Sequence, residues 1–205
     1  MVDLVSQYEK IKPTVLPLIE DIMSKAQFIN GPEVSAFKNE LQDYLDVKHV
    51  IPCANGTDAL QIALMSLGLK PGDEVITPSF TFIATTEVIA LLGLKPVFVE
   101  VDPKTFCIDI KHLSAVLTPK TKAIVPVHYA GVACELDTIL EIARRHKLLV
   151  IEDCAQAHGA RYKGKSVGSF GDISAWSFCQ DKIMTTGGEG GMVTTNDDEL
   201  WRAMW

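Results

Sequence analysis

From residue 50 onward, short apolar runs alternate with stretches in which apolar residues recur at helical spacing. The predicted strands are 50–52, 74–77, 96–101, 123–127 and 148–151, and the predicted helices are 55–67, 81–92, 111–117 and 136–146. Because these strands are apolar on both faces, they fit a sheet that helices cover on each side. The sequence therefore predicts an α/β fold with a mostly parallel central sheet and helices on both faces.

Two more helices are predicted before this alternation begins. Residues 7–25 carry apolar side chains at helical spacing, interrupted by Pro13 and Pro17, and a second amphipathic stretch follows Asn30-Gly31-Pro32. We expect the two helices to form an amino-terminal arm, residues 1–48. This arm would pack on a large α/β domain formed by residues 49–205.

Charge and cysteine content exclude several classes of protein. The net charge of -7 leaves no basic surplus to neutralise phosphates, which argues against a nucleic-acid partner. The five cysteines include no Cys-x-x-Cys pair, which argues against a zinc site and fits a reduced cytoplasmic compartment. Neither a secretion signal nor an apolar run of membrane-spanning length is recognisable in the sequence. We expect a soluble, cytoplasmic protein without a metal or a membrane partner.

Polar residues follow the predicted strands at their carboxyl ends, where ligands bind in sheets of this kind. A further apolar run, residues 174–178, delivers a serine and then a lysine to the same edge, with a glycine-rich stretch behind the lysine. We expect these groups to meet in one site: Asn55, Gly56, Thr57, Ser79, Phe82, His128, Tyr129, Asp153, Gln156, Ser177 and Lys182.

Each group has a structural interpretation beside the functional one. The helix start at Gly56 and Thr57 could cradle a phosphate or be a plain helix cap. Asp153, after a buried strand, could pair with a protonated ring nitrogen or cap the next helix. Gln156 could share the site or face solvent. Lys182 could react as an amine, or be a solvated loop charge.

The remaining candidates carry weaker signals. Phe82 could stack on a flat ring or belong to the core. Ser177 is a candidate for a second hydrogen-bond donor to a phosphate. Five polar residues nearby are interpreted as structural, substrate-lining, turn or cap residues: Asp102, Asp109, His128, Tyr129 and His158. Glu189, in the glycine-rich stretch, could be solvated. A phosphate cradle, a ring stacker, a carboxylate for a ring nitrogen and an imine-forming lysine are together the parts that hold pyridoxal phosphate.

Ordered motifs along nearly the whole chain resemble the DegT/DnrJ/EryC1/StrS family of sugar aminotransferases. They are 28–33 (FINGPE), 54–60 (ANGTDAL), 71–76 (PGDEVI), 78–82 (PSFTF), 125–128 (VPVH), 152–156 (EDCAQ) and Lys182 with the TTGGEGG tail. The resemblance implies the aspartate aminotransferase-like fold, type I.

The same resemblance implies a role for each site residue. Lys182 would form the Schiff base and move protons, and Asp153 would pair with the pyridine nitrogen. Three further contacts complete the implied site: Gln156 to the 3-hydroxyl of the cofactor, Phe82 on its ring, and Gly56, Thr57 and Ser177 on its phosphate.

The implied reaction transfers an amino group from glutamate, through pyridoxamine 5'-phosphate, to a keto group of a nucleotide-linked sugar. Within the family resemblance, the residues at positions 54–58 favour a 3-keto over a 4-keto sugar. The implied pathway is cell-surface polysaccharide or amino-sugar biosynthesis. The resemblance also implies a homodimer with the active site at the interface. The alternatives are a sugar dehydratase that uses the same cofactor, in which histidine replaces the lysine, and a noncatalytic large-domain fragment.

Members of this family continue into a smaller carboxyl-terminal domain, whereas this sequence stops at Trp205. We therefore expect a large domain truncated before that small domain. The last predicted helix, capped by residues 196–198, would then leave its apolar residues with little to pack against: Leu200, Trp201, Met204 and Trp205.

Overall fold

A computed structural model describes residues 3–205, and its centre is a seven-stranded sheet. The strands are β1 His49–Cys53, β2 Glu74–Pro78, β3 Lys95–Val99, β4 Thr121–Ile124, β5 Leu149–Asp153, β8 Ile173–Ser177 and β9 Gly191–Thr195, while β6 Arg161–Tyr162 and β7 Lys165–Ser166 form a separate hairpin. The spatial order is β1-β9-β8-β5-β4-β2-β3. Within this sheet, β8, β5, β4, β2 and β3 pair in parallel, and β9 pairs antiparallel with both of its neighbours, β1 and β8. The predicted α/β fold with a mostly parallel sheet is confirmed.

Seven α-helices accompany the sheet in the described residues. They are α1 Leu4–Lys25, α2 Pro32–Leu45, α3 Gly56–Ser66, α4 Ala84–Leu91, α5 Ile110–Ala115, α6 Leu136–His146 and α7 Asp198–Ala203. The predicted bounds of α6 match, whereas β3 and β4 end earlier than predicted. Strand β3 ends at Val99 because Val101 pairs with Ile108 across a turn instead of with a neighbouring strand. Strand β4 ends before Pro126, which has no N–H to donate to a ladder.

Adjacent residues of the inner strands pack on opposite faces of the sheet, as the strand period of two requires. Val75 and Ile151 belong to the cluster that includes residues of α3 and α4, whereas Ile76 and Val150 belong to the cluster with residues of α5 and α6. Each of these four side chains is at most 1% exposed. Both faces are therefore covered, which explains why the strands read as unbroken apolar runs.

The amino-terminal arm packs differently from the expectation. Helix α2 buries Leu41 and Leu45 in a third cluster with Trp176 and Phe178. Helix α1 buries none of its residues, although apolar side chains such as Ile19 lie along it. The prediction that the whole arm packs on the large domain is thus wrong for α1. Among the described residues, no helix combines the length and the apolarity that crossing a membrane requires.

Helix α7 is also better packed than expected. Leu200, Trp201 and Met204 are partly buried against the cluster beneath α3 and α4, and the indole of Trp201 stacks on His49 with ring centroids 4.6 Å apart. Trp205 is mostly exposed, as expected. For Leu200, Trp201 and Met204 the expectation is wrong, because the antiparallel pair β1 and β9 extends the sheet to them.

Candidate active site

A cavity of about 820 Å³ opens at the carboxyl edge of the sheet. Its walls come from the start of α3, the loop before α4, the end of β5, and the segment after β8. Parallel pairing of β5 with β8 sets Asp153 opposite Ala175, which brings the residues that follow both strands to one place. All seven residues predicted to bind or react line this cavity: Gly56, Thr57, Phe82, Asp153, Gln156, Ser177 and Lys182.

The start of α3 lies against the end of β8 because residue 56 has no side chain. A Cβ on Gly56 would come within 2.6 Å of the Ser177 Cβ, closer than such atoms approach. Asn55 is the helix cap, and its Oδ1 accepts a hydrogen bond from the Asp58 N–H at 2.8 Å. This cap leaves the first-turn N–H groups of Gly56 and Thr57 for a ligand. The cap and the phosphate cradle are therefore compatible interpretations of one motif.

Asp153 is a buried carboxylate at the cavity wall, with only 4% of its surface exposed. Its Oδ2 accepts a hydrogen bond from Thr85 Oγ1 at 2.9 Å, and its Oδ1 accepts one from the Ala155 N–H at 3.1 Å. The element that follows β5 is strand β6 and not a helix, so Asp153 is not a helix cap. Burial raises the pKa of Asp153, while the bonds from Ala155 and Thr85 oppose that rise.

Within residues 3–205, Asp153 makes no salt bridge. A carboxylate that is buried, held only by uncharged donors and open to a cavity suits a ligand that carries a positive charge. A protonated ring nitrogen is such a group. The residues present thus fit the ring of pyridoxal phosphate at this end of the cavity.

The carboxamide of Gln156 has a defined orientation. Its Oε1 accepts a hydrogen bond from the Ala130 N–H at 2.8 Å. Because a backbone N–H pairs only with an acceptor, the oxygen faces Ala130 and the NH₂ group remains as a donor for the cavity. Gln156 therefore lines the site instead of facing solvent, and it can donate to an oxygen of a ligand.

Phe82 is at the cavity mouth and is not part of the core. Helix α4 begins at Ala84, so Phe82 lies on the preceding loop, and 69% of its surface is exposed. The alternative that it packs in the core is wrong. An exposed aromatic ring beside a cavity is available to cover a flat ligand.

Ser177 and Lys182, at and after the end of β8, also line the cavity. Ser177 ends β8, and its Oγ accepts a hydrogen bond from the Cys179 N–H at 3.3 Å. The Lys182 side chain lines the cavity and is 19% exposed, with its Nζ 3.5 Å from Asp181 Oδ2. Lys182 is thus shielded by the cavity and is not a freely solvated loop charge.

The weaker candidates separate into cavity and scaffold residues. Glu189 lines the cavity and accepts a hydrogen bond from Cys179 Sγ at 3.4 Å, so it is more than a solvated charge. Asp102 accepts bonds from the N–H groups of a turn, and Asp109 caps α5, as predicted for both. His158 packs against Trp176 and Phe178 behind the cavity wall.

His128 is fully buried and hydrogen-bonded to Glu152, so it is a scaffold residue. His128, Glu152 and Cys154 bring together three residue types that bind metals. Both carboxylate oxygens of Glu152 are, however, already engaged by His128 Nε2 and by three backbone N–H groups. We therefore interpret the group as a hydrogen-bonded core.

Thr85, Ala130 and Glu152 contribute to the site but are not found from the sequence. Thr85 bonds Asp153, Ala130 bonds Gln156, and Glu152 anchors His128. The acidic pair Glu152-Asp153 at the end of an apolar run is the one signal that could have marked Glu152. A threonine on a helix and a backbone N–H of an alanine carry no comparable signal.

Comparison with known proteins is consistent with this geometry. Residues 9–205 match the DegT/DnrJ/EryC1/StrS aminotransferase family. GDP-perosamine synthase of Caulobacter vibrioides is 54% identical over 170 residues, which are 83% of this chain and 46% of that protein. UDP-2-acetamido-2-deoxy-3-oxo-D-glucuronate aminotransferase of Pseudomonas aeruginosa is 46% identical over 203 residues, 99% of this chain and 56% of that protein.

The structure of ntda from Bacillus subtilis with bound cofactor PMP superposes with a TM-score of 0.83 at 36% identity, covering 100% of this chain and 44% of that one. The chain spans about half the length of the curated relatives that it matches. The family match covers nearly all residues, and the relatives are well above the identity at which a shared fold is assured. The chain therefore belongs to the DegT/DnrJ/EryC1/StrS aminotransferase family.

Proposed function

We propose that this chain forms the cofactor-binding part of a pyridoxal phosphate-dependent aminotransferase. The enzyme would move an amino group from glutamate to a keto group of a nucleotide-linked sugar, with a 3-keto group favoured over a 4-keto group. The observation that supports the proposal best is the cavity that Asp153 and Lys182 share with the helix start at Gly56. A single cavity thus contains a partner for a ring nitrogen, an amine and a phosphate cradle.

The phosphate would lie at the start of α3. There the N–H groups of Gly56 and Thr57 point out of the first helical turn, where the helix dipole favours an anion. The hydroxyl of Ser177 is adjacent, because the missing side chain of Gly56 lets the helix approach β8 closely. No basic side chain of α3 is needed, since backbone donors and the dipole supply the attraction.

The ring would be held by its polar edges. Asp153 would bind the ring nitrogen and keep a proton on it, because a cationic N–H offsets the cost of burying the carboxylate. Gln156 would donate its NH₂ to the ring oxygen, as its own carbonyl is occupied by Ala130. Phe82 would cover the ring at the cavity mouth. When bound, pyridoxal phosphate supplies an electron-accepting ring on which an amino group can be exchanged.

Lys182 is the proposed proton carrier. It is the one lysine or arginine among the cavity-lining residues in the described part of the chain. Its amine would move a proton between a carbon atom of a ligand held in the cavity and a second atom of that ligand. The flexible four-carbon stem lets one amine serve both positions. Histidine would replace this lysine in a dehydratase, so Lys182 supports transamination.

Relatives support the substrate class. The Caulobacter and Pseudomonas proteins carry names of enzymes acting on GDP- and UDP-linked sugars, and the Bacillus subtilis structure holds PMP. We extend these properties to this chain as a proposal, together with a cytoplasmic location and a homodimer that has its active site at the interface. The dimer predicts a mass of twice the chain in gel filtration, and a monomeric mass at micromolar concentration would contradict it.

The proposal is tested by trapping the amine that reacts with the cofactor. The chain is mixed with pyridoxal phosphate, reduced with borohydride and digested, and the peptides are analysed by mass spectrometry. We expect a pyridoxyl group on the peptide that contains Lys182. Lys182→Arg should abolish it, because a guanidinium does not form an imine under these conditions. Lys163→Arg is the matched control, since Lys163 lies outside the cavity in a salt bridge with Asp137.

Labelling of another lysine, or no visible absorbance with the cofactor, would refute the proposal and favour a noncatalytic large domain. In a separate sample that has not been reduced, glutamate should convert the bound cofactor to pyridoxamine phosphate. Incubation with 3-keto and 4-keto nucleotide sugars then distinguishes the two reactions by product. An amino sugar supports the aminotransferase, and a deoxy sugar without nitrogen supports the dehydratase.

A further inference from the structure

A buried, hydrogen-bonded pair, His128 and Glu152, lies behind the cavity wall without lining it. The Glu152 carboxylate accepts hydrogen bonds from the N–H groups of Gly168 at 2.8 Å, Phe170 at 2.8 Å and Gly171 at 2.7 Å, and from His128 Nε2 at 2.9 Å. Both side chains are fully buried. Glu152 is therefore a fixed anchor, because each of its oxygens is held by two donors.

The protonation of His128 follows from its partners. Nδ1 accepts a hydrogen bond from the Cys134 N–H at 3.1 Å, so Nδ1 carries no proton. Nε2 then carries the ring proton and donates it to Glu152. The imidazole is thus neutral and is used at both ends, joining the anchor at Glu152 to the backbone at Cys134.

These bonds close the segment 128–134 into a fixed loop beside the cavity. The His128 N–H donates to the Asp153 carbonyl at 3.1 Å, and the Gly131 N–H donates to the His128 carbonyl at 3.2 Å. Within the loop, Ala130 has a φ of 50°, in the left-handed region that alanine rarely adopts. A strained conformation of this kind persists only where its surroundings hold it.

The strained residue is the one that orients Gln156, through the 2.8 Å bond from the Ala130 N–H to Gln156 Oε1. We propose that His128 is a positioning residue that acts through Gln156: anchored on Glu152, it holds the 129–131 turn so that the Gln156 NH₂ group faces the cavity. The inference rests on the proposed function only for the identity of the ligand. The series of contacts from Glu152 to Gln156 is made by residues of this protein and does not depend on a ligand.

Two substitutions separate the two hydrogen bonds of the His128 side chain, one with Cys134 and one with Glu152. In His128→Asn, the amide oxygen takes the place of Nδ1 and keeps an acceptor for Cys134, but the side chain is too short for Glu152. In His128→Gln, the amide nitrogen takes the place of Nε2 and keeps a donor for Glu152, but the acceptor for Cys134 is lost. Both should loosen the turn. His112→Asn is the matched control, because His112 Nδ1 also accepts a backbone N–H, that of Glu100 at 3.0 Å, away from the cavity.

The first measurement needs no cofactor. Hydrogen exchange followed by mass spectrometry on the full chain reports the Ala130 amide, whose one hydrogen-bond acceptor among the described residues is Gln156. We expect exchange at this amide to rise at least about fivefold in both His128 variants and in Gln156→Ala, and not in His112→Asn. Unchanged exchange in the two folded His128 variants would overturn the proposal.

The second measurement uses pyridoxal phosphate. Each His128 variant should weaken its binding about fivefold, and shift the pH titration of its visible absorbance, because an oxygen of the ligand loses its donor. In a Gln156→Ala background the same substitutions should change the affinity less than about twofold. A full effect in that background would mean that His128 acts on folding alone, and it would overturn the proposal.

Failure of the proposed function has a different signature. In that case the unsubstituted chain would not bind pyridoxal phosphate, while the exchange measurement would still decide the positioning role. If both His128 variants fail to fold, imidazole ¹⁵N NMR of the unsubstituted chain is decisive. We expect Nδ1 of His128 unprotonated and Nε2 protonated, as the hydrogen bonds with Cys134 and Glu152 require. A proton on Nδ1 would break the proposed connection to Cys134 and overturn the inference.

Discussion

We expect His158 to make the chain less stable in acid, and His158→Phe to remove the part of the acid sensitivity that the imidazole contributes. The imidazole packs against Trp176 and Phe178 with ring centroids 5.5 Å and 5.3 Å apart. Its two nitrogens are buried and have no hydrogen-bond partner in the described part of the chain. A phenyl ring has a similar shape and no polar atoms, so it should fill the same space.

The size of the effect follows from the pKa of the buried imidazole. Burial, and secondarily the charge of Lys182, lower the pKa of His158 from 6.5 to about 4. Between these values the unfolded chain binds a proton that the native chain does not, so the free energy of unfolding falls as the pH falls. The free energy of unfolding keeps its full value above pH 6.5, and the part that depends on neutral His158 is lost progressively as the pH falls toward 4. From pH 7 to pH 5 the loss due to His158 is up to about 2 kcal/mol.

Urea unfolding at pH 7 and pH 5 measures this loss. The unsubstituted chain should lose up to about 2 kcal/mol more than His158→Phe between the two pH values. At pH 7 the variant should be more stable by about 1 kcal/mol, because two unpaired buried nitrogens are removed. His146→Gln, at the exposed end of α6, controls for the loss of a histidine as such. Carboxylates titrate equally in the unsubstituted chain and in both variants, so they do not account for a difference between them. If His158→Phe lost as much free energy of unfolding between pH 7 and pH 5 as the unsubstituted chain, the reasoning would be refuted.

Further predictions concern the cavity. Asp153→Ala should weaken pyridoxal phosphate binding more than about a hundredfold and nearly abolish transamination, since it removes the partner of the ring nitrogen; Asp109→Ala should lower the stability by about 1 kcal/mol through the loss of the α5 cap and leave the affinity unchanged. Equal losses of affinity would mean that the site is misassigned. Gly56→Ala should weaken binding about tenfold, because the added Cβ lies 2.6 Å from the Ser177 Cβ and pushes α3 from β8. Gly188→Ala, which meets no atom within 4 Å, is its control, and a spectroscopic titration compares the two.

Local patterns predict the sheet well because each strand carries its own burial signal. Val75 and Ile76 are both apolar because they face two different helical layers, and that pairing is visible without any knowledge of the partners. The cavity follows from the same logic, since parallel strands bring their carboxyl ends to one edge. The residues at those ends could therefore be collected before any coordinates were known.

Features that depend on a distant partner are not predictable in this way. Helix α1 has the apolar spacing of a packed helix, yet it buries none of its residues, because periodicity shows that a face is apolar and not what covers it. Helix α7 is the opposite case: its packing surface exists only because β9 inserts antiparallel between β1 and β8. Ala130 likewise matters through one backbone N–H, and its neighbours in sequence do not reveal that role.

Glu152 and Asp153 show why adjacent residues of one type can serve different purposes. They end the same strand, are both buried, and point to opposite faces. Burial raises the pKa of each, but in Glu152 the bond from His128 and those from the loop at Gly168 and Gly171 outweigh burial, so its pKa is lowered. Among residues 3–205, Asp153 has only Thr85 and Ala155 as hydrogen-bond donors, so burial prevails and its pKa is raised. Glu152 is therefore satisfied within the chain, whereas Asp153 lines the cavity and is left able to pair with a cationic group of a ligand.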